Sequence, residues 1–180
     1  MRLLLTSLIL CGSAYAQPIT VYVMGDSISL GYTDFLGHAL GPDYAVTHSR
    51  RTTGNRDINA RHTGYSLEHI DELLPPGSRF DVIVCNWGLH DLRQEGPGPV
   101  TPPQQYAQNI QILLARVQEH ADVVIVPSVT WVTPTAQRRT AARGLEYARI
   151  LEPAARGAGL PVVPMYDITV GCTDWYLPDG

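Results

Sequence analysis

The sequence is poor in several things that would have narrowed its function at once. Basic residues are in no surplus. Lys and Arg together number 13 against 17 Asp and Glu, for a net charge of −4, so nucleic acid and anionic membrane surfaces are not expected partners. The chain has no lysine, hence no P-loop lysine, and no Gly-x-Gly-x-x-Gly follows its first strand. A flavodoxin-like nucleotide binder therefore lacks support. Of three cysteines only Cys85 and Cys172 lie beyond residue 16, with no Cys-x-x-Cys and no His-rich spacing, so no structural metal is expected. No repeat, low-complexity tract or internal linker is visible. Charged residues are few at 17%, but hydrophobic ones reach 44%, a globular and not a disordered composition. The 180 residues suffice for one domain with a full core.

The N-terminus reads as a leader. Arg2 is a short basic region, Leu3 to Leu10 is mostly apolar, and Ala14-Tyr15-Ala16 has the small-x-small form of a signal-peptidase site. The apolar stretch is too short for a stable bilayer anchor. Residues 1–16 are therefore expected to be a cleaved secretory signal, with 17–180 forming the domain, and the protein to be secreted or periplasmic. A lipoprotein reading through Cys11 is disfavoured by Leu10, where a small residue belongs. Export permits a Cys85–Cys172 disulfide; two buried free thiols are the simpler expectation.

The remaining chain alternates strands and helices. Ile19 to Met24 is an apolar, β-branched run ending at Gly25-Asp26-Ser27. Helix is expected over 28–40, with Leu30, Phe35, Leu36, Ala39 and Leu40 as its apolar positions, then a short strand over Tyr44 to His48. A polar loop over 49–63 holds Arg50, Arg51, Arg56 and Arg61, which are either solvated or near an anionic substrate group. A helix opening at Gly64 carries Leu67, Ile70, Leu73 and Leu74 at helical spacing. A buried strand over 81–86 runs into Trp87-Gly88-Leu89-His90-Asp91-Leu92. A Pro/Gly-rich loop (93–103) and an amphipathic helix (103–119) with Ile110, Leu113, Leu114 and Val117 inward come next. Strand 123–126, loop 127–134, helix 135–156 and a last strand over 160–165 complete the pattern. It predicts a three-layer α/β/α sandwich on a parallel sheet of about five strands.

In such a fold the loops after the first and third strands meet at the carboxyl edge of the sheet, where ligands bind. A serine there, at a helix N-terminus, suits an oxyanion site, although Asp26 or Ser27 would also serve as a plain helix cap. Gly25-Asp26-Ser27 together with Gly88-Leu89-His90-Asp91 resembles the SGNH hydrolases, the GDSL-type esterases and lipases, and in particular a secreted Gly-Leu-His-Asp subgroup. Leu67-Glu68-His69-Ile70-Asp71 shares that likeness, which spans essentially the whole domain.

The resemblance implies that Ser27 is the nucleophile and one backbone oxyanion donor. It implies a second backbone donor at Gly64, with Ser66 as the alternative alignment. His90 stands where the family pattern Gly-x-Asn-Asp has asparagine, and is expected to donate to the oxyanion through its imidazole. The other reading of His90 is a structural residue bonded within its own loop. Leu177-Pro178-Asp179-Gly180 resembles the opening of the family's Asp-x-x-His block, making Asp179 the candidate triad acid and placing the histidine two positions beyond Gly180. Asp174 and Asp167 are weaker alternatives. On that reading the chain is expected to be an incomplete copy with little turnover, unless another histidine, His62 first among them, serves as base. No cofactor or metal is implied. The expected substrates are small-molecule or carbohydrate esters, acetyl groups above all. Lipid-directed esterase, lysophospholipase or thioesterase activity is one alternative and a non-catalytic carbohydrate-binding module another. Oligomeric state is left open.

Overall fold

β-Branched residues alternate poorly with polar ones between Ile19 and Met24, as befits a strand covered on both faces. In the computed structural model, which describes residues 17–49 and 58–173, this run is β1 (Ile19–Met24). It is the second of five parallel strands. After it come α1 (Ser27–Leu40), β2 (Tyr44–His48), α2 (Thr63–Glu68), α3 (Ile70–Leu73) and β3 (Phe80–Cys85). A small hairpin of β4 (Gln94–Glu95) and β5 (Gly98–Pro99) precedes α4 (Pro103–Gln118), β6 (Ala121–Pro127), α5 (Ala141–Gly157), β7 (Val162–Val163) and α6 (Met165–Thr169). The strand order is β2-β1-β3-β6-β7, with every pair parallel. The expected α/β/α sandwich is the fold found, with helices flanking the sheet.

That order fixes where a ligand belongs. From β1 the chain turns one way to β2, and from β3 it turns the other way to β6. The loops leaving β1 and β3 therefore diverge and open a crevice at the carboxyl edge between them. Met24 pairs with Cys85 at the ends of these strands, so residues 25–27 and 86–91 emerge side by side. Behind the crevice, Met24, Ile83, Cys85, Trp87, Tyr106 and Tyr147 are fully buried. Helix α4 contributes its inward Ile110, Leu113, Leu114 and Val117, as its periodicity predicts, and packs on α5, α2 and β6.

Several elements depart from expectation. Helix α1 buries not its apolar positions but Ser29 and Thr33; Phe35 is 77% exposed. The reason is polar: the Ser29 hydroxyl lies 2.7 Å from Nε2 of buried His48, and small hydroxyl side chains let the helix sit close to the sheet. The single helix expected from Gly64 breaks at His69 into α2 and α3. The helix expected from residue 135 begins six residues later, because Thr140 caps it, its hydroxyl accepting from the Arg143 N–H at 3.3 Å. The last strand shrinks to two residues between Pro161 and Pro164, which offer the ladder no N–H. The loop at 93–103 contains the β4–β5 hairpin. Cys85 and Cys172 are both free thiols, and only Cys85 is buried. The segment 1–16 expected to be a leader, the arginines at 50, 51 and 56, and Asp174 and Asp179 lie outside the described residues. Among the described residues no helix is long and apolar enough to cross a membrane.

Candidate active site

The turn after β1 is shaped by two contacts. A Cβ on Gly25 would sit 2.1 Å from Oδ1 of Asn86, the residue just past β3; only glycine lets the two strand ends approach so closely. Asp26, 2% exposed, is the N-cap of α1, with Oδ1 accepting from the Ile28 N–H at 2.9 Å. The capping role thus falls to Asp26 and leaves Ser27 otherwise uncommitted. Ser27 is the first residue of α1 and is exposed. Its hydroxyl has no hydrogen-bond partner among the described residues, and it stands at the end of the helix where partial positive charge favours an anion.

The facing loop is equally constrained. Gly88 has φ +137°, and a Cβ there would come within 2.3 Å of Val129 Cγ2. Trp87 is buried, its indole N–H donating to the Ser66 hydroxyl at 2.8 Å. His90 is half-buried. Burial pushes its pKa down, the negative charge of Asp26 opposes this, and Arg139, Arg93 and His62 add to the depression. His90 is therefore a neutral imidazole at pH 7, with one N–H to donate. Its loop leaves β3 beside the Ser27 turn, since Met24 pairs with Cys85 and Gly25 abuts Asn86. No hydrogen bond to its side chain is found within its own loop among the described residues.

The third segment is the entry to α2. His62 caps this helix, Nδ1 accepting from the Tyr65 N–H at 3.1 Å. That bond requires an unprotonated Nδ1, and burial together with Arg61 and Arg93 lowers its pKa accordingly. Arg61 adopts φ +53° and lays its guanidinium 4.6 Å from the Tyr65 ring centre. Gly64 and Ser66 now separate. The Ser66 N–H bonds His62 O within the helix at 3.0 Å, and its hydroxyl donates to Ala60 O at 2.7 Å. Gly64 lies in the first turn, where backbone N–H groups have no intrahelical acceptor.

These segments are tied together by contacts that residue patterns did not announce. The Ala60 N–H donates to Gly25 O at 2.8 Å. Oδ1 of buried Asp91 accepts from both the N–H (2.9 Å) and the hydroxyl (2.6 Å) of Thr63. Arg139 Nε donates to Leu89 O at 2.8 Å, beside His90. The only advance signal was that Asp91 closes the motif that holds His90 and that Thr63 precedes Gly64. The other histidines have partners of their own: His38 with Asp34 O, His69 with Glu72, His120 with Ser78, and buried His48 with Ser29, whose hydroxyl also meets Asp26 O behind the turn. Asp167 lies exposed in α6, not at a strand end.

Comparison with known proteins gives the chain a family and the fold its relatives. The model of the GDSL-like lipase/acylhydrolase family matches residues 23–180. No curated relative matches by sequence. Among solved structures, an acetylxylan esterase (Axe2) from Geobacillus stearothermophilus superposes with TM-score 0.68 at 12% identity, over 90% of this chain and 83% of that one. A lipase/acylhydrolase from Enterococcus faecalis gives 0.63 at 15%, over 89% and 81%. AlinE4, an SGNH-hydrolase family esterase, gives 0.67 at 17%, over 92% and 86%. At these identities the likeness speaks for the fold.

Proposed function

Because this chain belongs to the GDSL-like lipase/acylhydrolase family, a family of ester hydrolases, we propose that it is a secreted serine esterase removing short acyl groups, acetyl foremost, from carbohydrate. One observation carries the reading. An exposed serine hydroxyl opens a helix whose cap is supplied by its neighbour, and the adjoining strand end, paired at Met24 and Cys85, leads into the loop that carries half-buried His90.

In this mechanism Ser27 Oγ attacks the ester carbonyl. The carbonyl oxygen becomes an oxyanion held by the N–H groups of Ser27 and Gly64 and by the His90 imidazole. Each such donor is typically worth about 3 kcal/mol to the transition state. The serine proton passes to a general base, which the family resemblance assigns to the histidine of an Asp-x-x-His block with Asp179 as its acid, and thence to the departing alcohol. Water then attacks the acyl-serine, the carboxylic acid leaves, and Ser27 regains its proton. The acetyl preference draws support from the acetylxylan esterase among the fold relatives. The lipase/acylhydrolase from Enterococcus faecalis favours a second reading, a lipid-directed esterase.

The test is a paired assay on p-nitrophenyl acetate, acetylated xylo-oligosaccharide and a long-chain acyl ester. It compares the chain as it stands with the same chain extended through an Asp-x-x-His block, each with Ser27→Ala. Turnover confined to the extended chain and abolished by Ser27→Ala is expected. Equal turnover in both transfers the base to His62 or His90. Turnover that survives Ser27→Ala removes Ser27 from the mechanism, and preference for the long-chain ester selects the lipid reading.

A further inference from the structure

Four residues on three elements form a directed hydrogen-bond chain behind the crevice. Gln105 Nε2 donates to Asn109 Oδ1 at 2.8 Å, within α4. That bond orients the Asn109 amide so that Nδ2 donates to Thr63 Oγ1 at 2.9 Å, at the start of α2. With Oγ1 thus accepting, its own hydrogen is directed at Asp91 Oδ1, 2.6 Å away, and the Thr63 N–H joins it on the same oxygen at 2.9 Å. Thr63 and Asp91 are wholly inaccessible to solvent, and Asn109 is 5% exposed. Thr63 sits between His62 and Gly64, and Asp91 follows His90. The chain therefore joins the two segments that carry the proposed site residues, and anchors them to the long helix.

We propose that Asp91 is a positioning residue, and that the two hydrogen bonds it accepts from Thr63 make the His62–Gly64 turn and the Gly88–Asp91 loop one unit, fixing the separation of the Gly64 and His90 donors. Two details of the structure favour positioning over packing. A buried carboxylate is a costly way to fill space; a leucine or methionine there would cost less. Moreover the Thr63 N–H and hydroxyl both converge on one carboxyl oxygen, Oδ1, so the carboxyl grips the start of α2 at two points. The Thr101 N–H donates to Asp91 O at 3.0 Å and fixes the backbone of the same residue. An oxyanion donor displaced by even an ångström loses much of its effect on the transition state, which is what the clamp prevents.

The consequence for turnover rests on the esterase reading; the clamp itself does not. The experiment therefore has an arm that needs no activity. Amide hydrogen exchange is measured by residue on the parent, Thr63→Val and Thr63→Ser. Thr63→Val removes the hydroxyl and keeps the volume, so exchange is expected to rise about tenfold at 88–92 as well as at 61–66, with Thr63→Ser restoring the parent pattern. A rise confined to 61–66 overturns the clamp. If Thr63→Val fails to fold, Asn109→Ala replaces it. It cuts only the outer link, and a rise at 88–92 supports the proposal while one confined to α4 overturns it. In the kinetic arm, on the active form, Thr63→Val lowers kcat about tenfold or more with KM nearly unchanged, and Thr63→Ser recovers it. An unchanged kcat overturns the positioning role. Absence of turnover in every form sinks the esterase reading and leaves the exchange result to decide the clamp.

Discussion

In the proposed mechanism His90 takes the place of an amide donor, and its surroundings decide whether an imidazole can do that work. Burial and the flanking Arg139, Arg93 and His62 hold it neutral, against the pull of Asp26. His62 is held neutral too, by burial first and by Arg61 and Arg93 next, as its Nδ1 cap on Tyr65 demands. Both rings should therefore titrate below the ordinary value of 6.5 in a two-dimensional imidazole nitrogen NMR titration, His62 with its hydrogen on Nε2 through the neutral range. A midpoint above 6.5 at His90 would replace the neutral donor by an imidazolium. Function gives the second check. In the active form, His90→Asn should remain within roughly tenfold of the parent, since an amide supplies the same kind of donor. His90→Ala should lose about 10²–10³-fold in kcat, the ordinary cost of deleting one oxyanion donor. Equal loss in both variants would make His90 the base or a structural residue.

At the scale of elements, the crevice exists because two glycines allow two loops to leave the sheet together. Gly88 combines a φ of +137° with a Cβ position 2.3 Å from Val129 Cγ2, so Gly88→Ala meets both backbone strain and a clash. A loss of at least about 2 kcal/mol in urea unfolding is expected. Adding Val129→Ala should recover only the part due to the clash, and full recovery would show that the backbone conformation costs nothing. Much of this level was legible in the residues. The β-branched runs placed β1, β3 and β6, the period of α4 named four of its inward residues, and Gly25-Asp26-Ser27 and Gly88-Leu89-His90-Asp91 fell on adjacent loops. What was not legible has a common physical origin. Helix α1 faces the sheet with two hydroxyls, of which Ser29's meets a distant histidine and Thr33's turns back on its own helix. Helix α5 starts at a cap that competes with several threonines just before it. Ser66, an eligible backbone donor in the linear pattern, has its N–H taken up by a helical turn. Each depends on a partner or a local bond that periodicity does not report.

For the molecule as a whole, the charge buried at Asp91 should be visible in stability. Burial pushes its carboxyl up from 3.8 to about 6, against the lowering effect of the Thr63 and Thr101 bonds. An acid whose pKa is higher folded than unfolded binds more protons in the native state between those values. Its contribution is thus most favourable below 3.8 and is lost as pH rises through about 6, a change of about 3 kcal/mol. His62 and His90 act the other way. Their lowered values mean that the unfolded chain takes up protons first, so their contribution is present above 6.5 and lost as pH falls through their folded values. The two trends partly cancel in the parent, so the raw pH curve of stability is a poor witness. The difference between parent and Asp91→Asn isolates the carboxyl, because the histidines are common to both. Urea unfolding from pH 4 to 8 should show the parent losing ground to Asp91→Asn as pH rises, with most of the change between pH 4 and 7. A difference that stays flat would mean that Asp91 ionises as freely in the fold as out of it. A falling difference would show that the fold sustains a destabilising charge at neutral pH, in a residue that joins the His90 loop to the start of α2. A buried anion kept at such a junction is accounted for by the geometry it holds and not by the stability it adds.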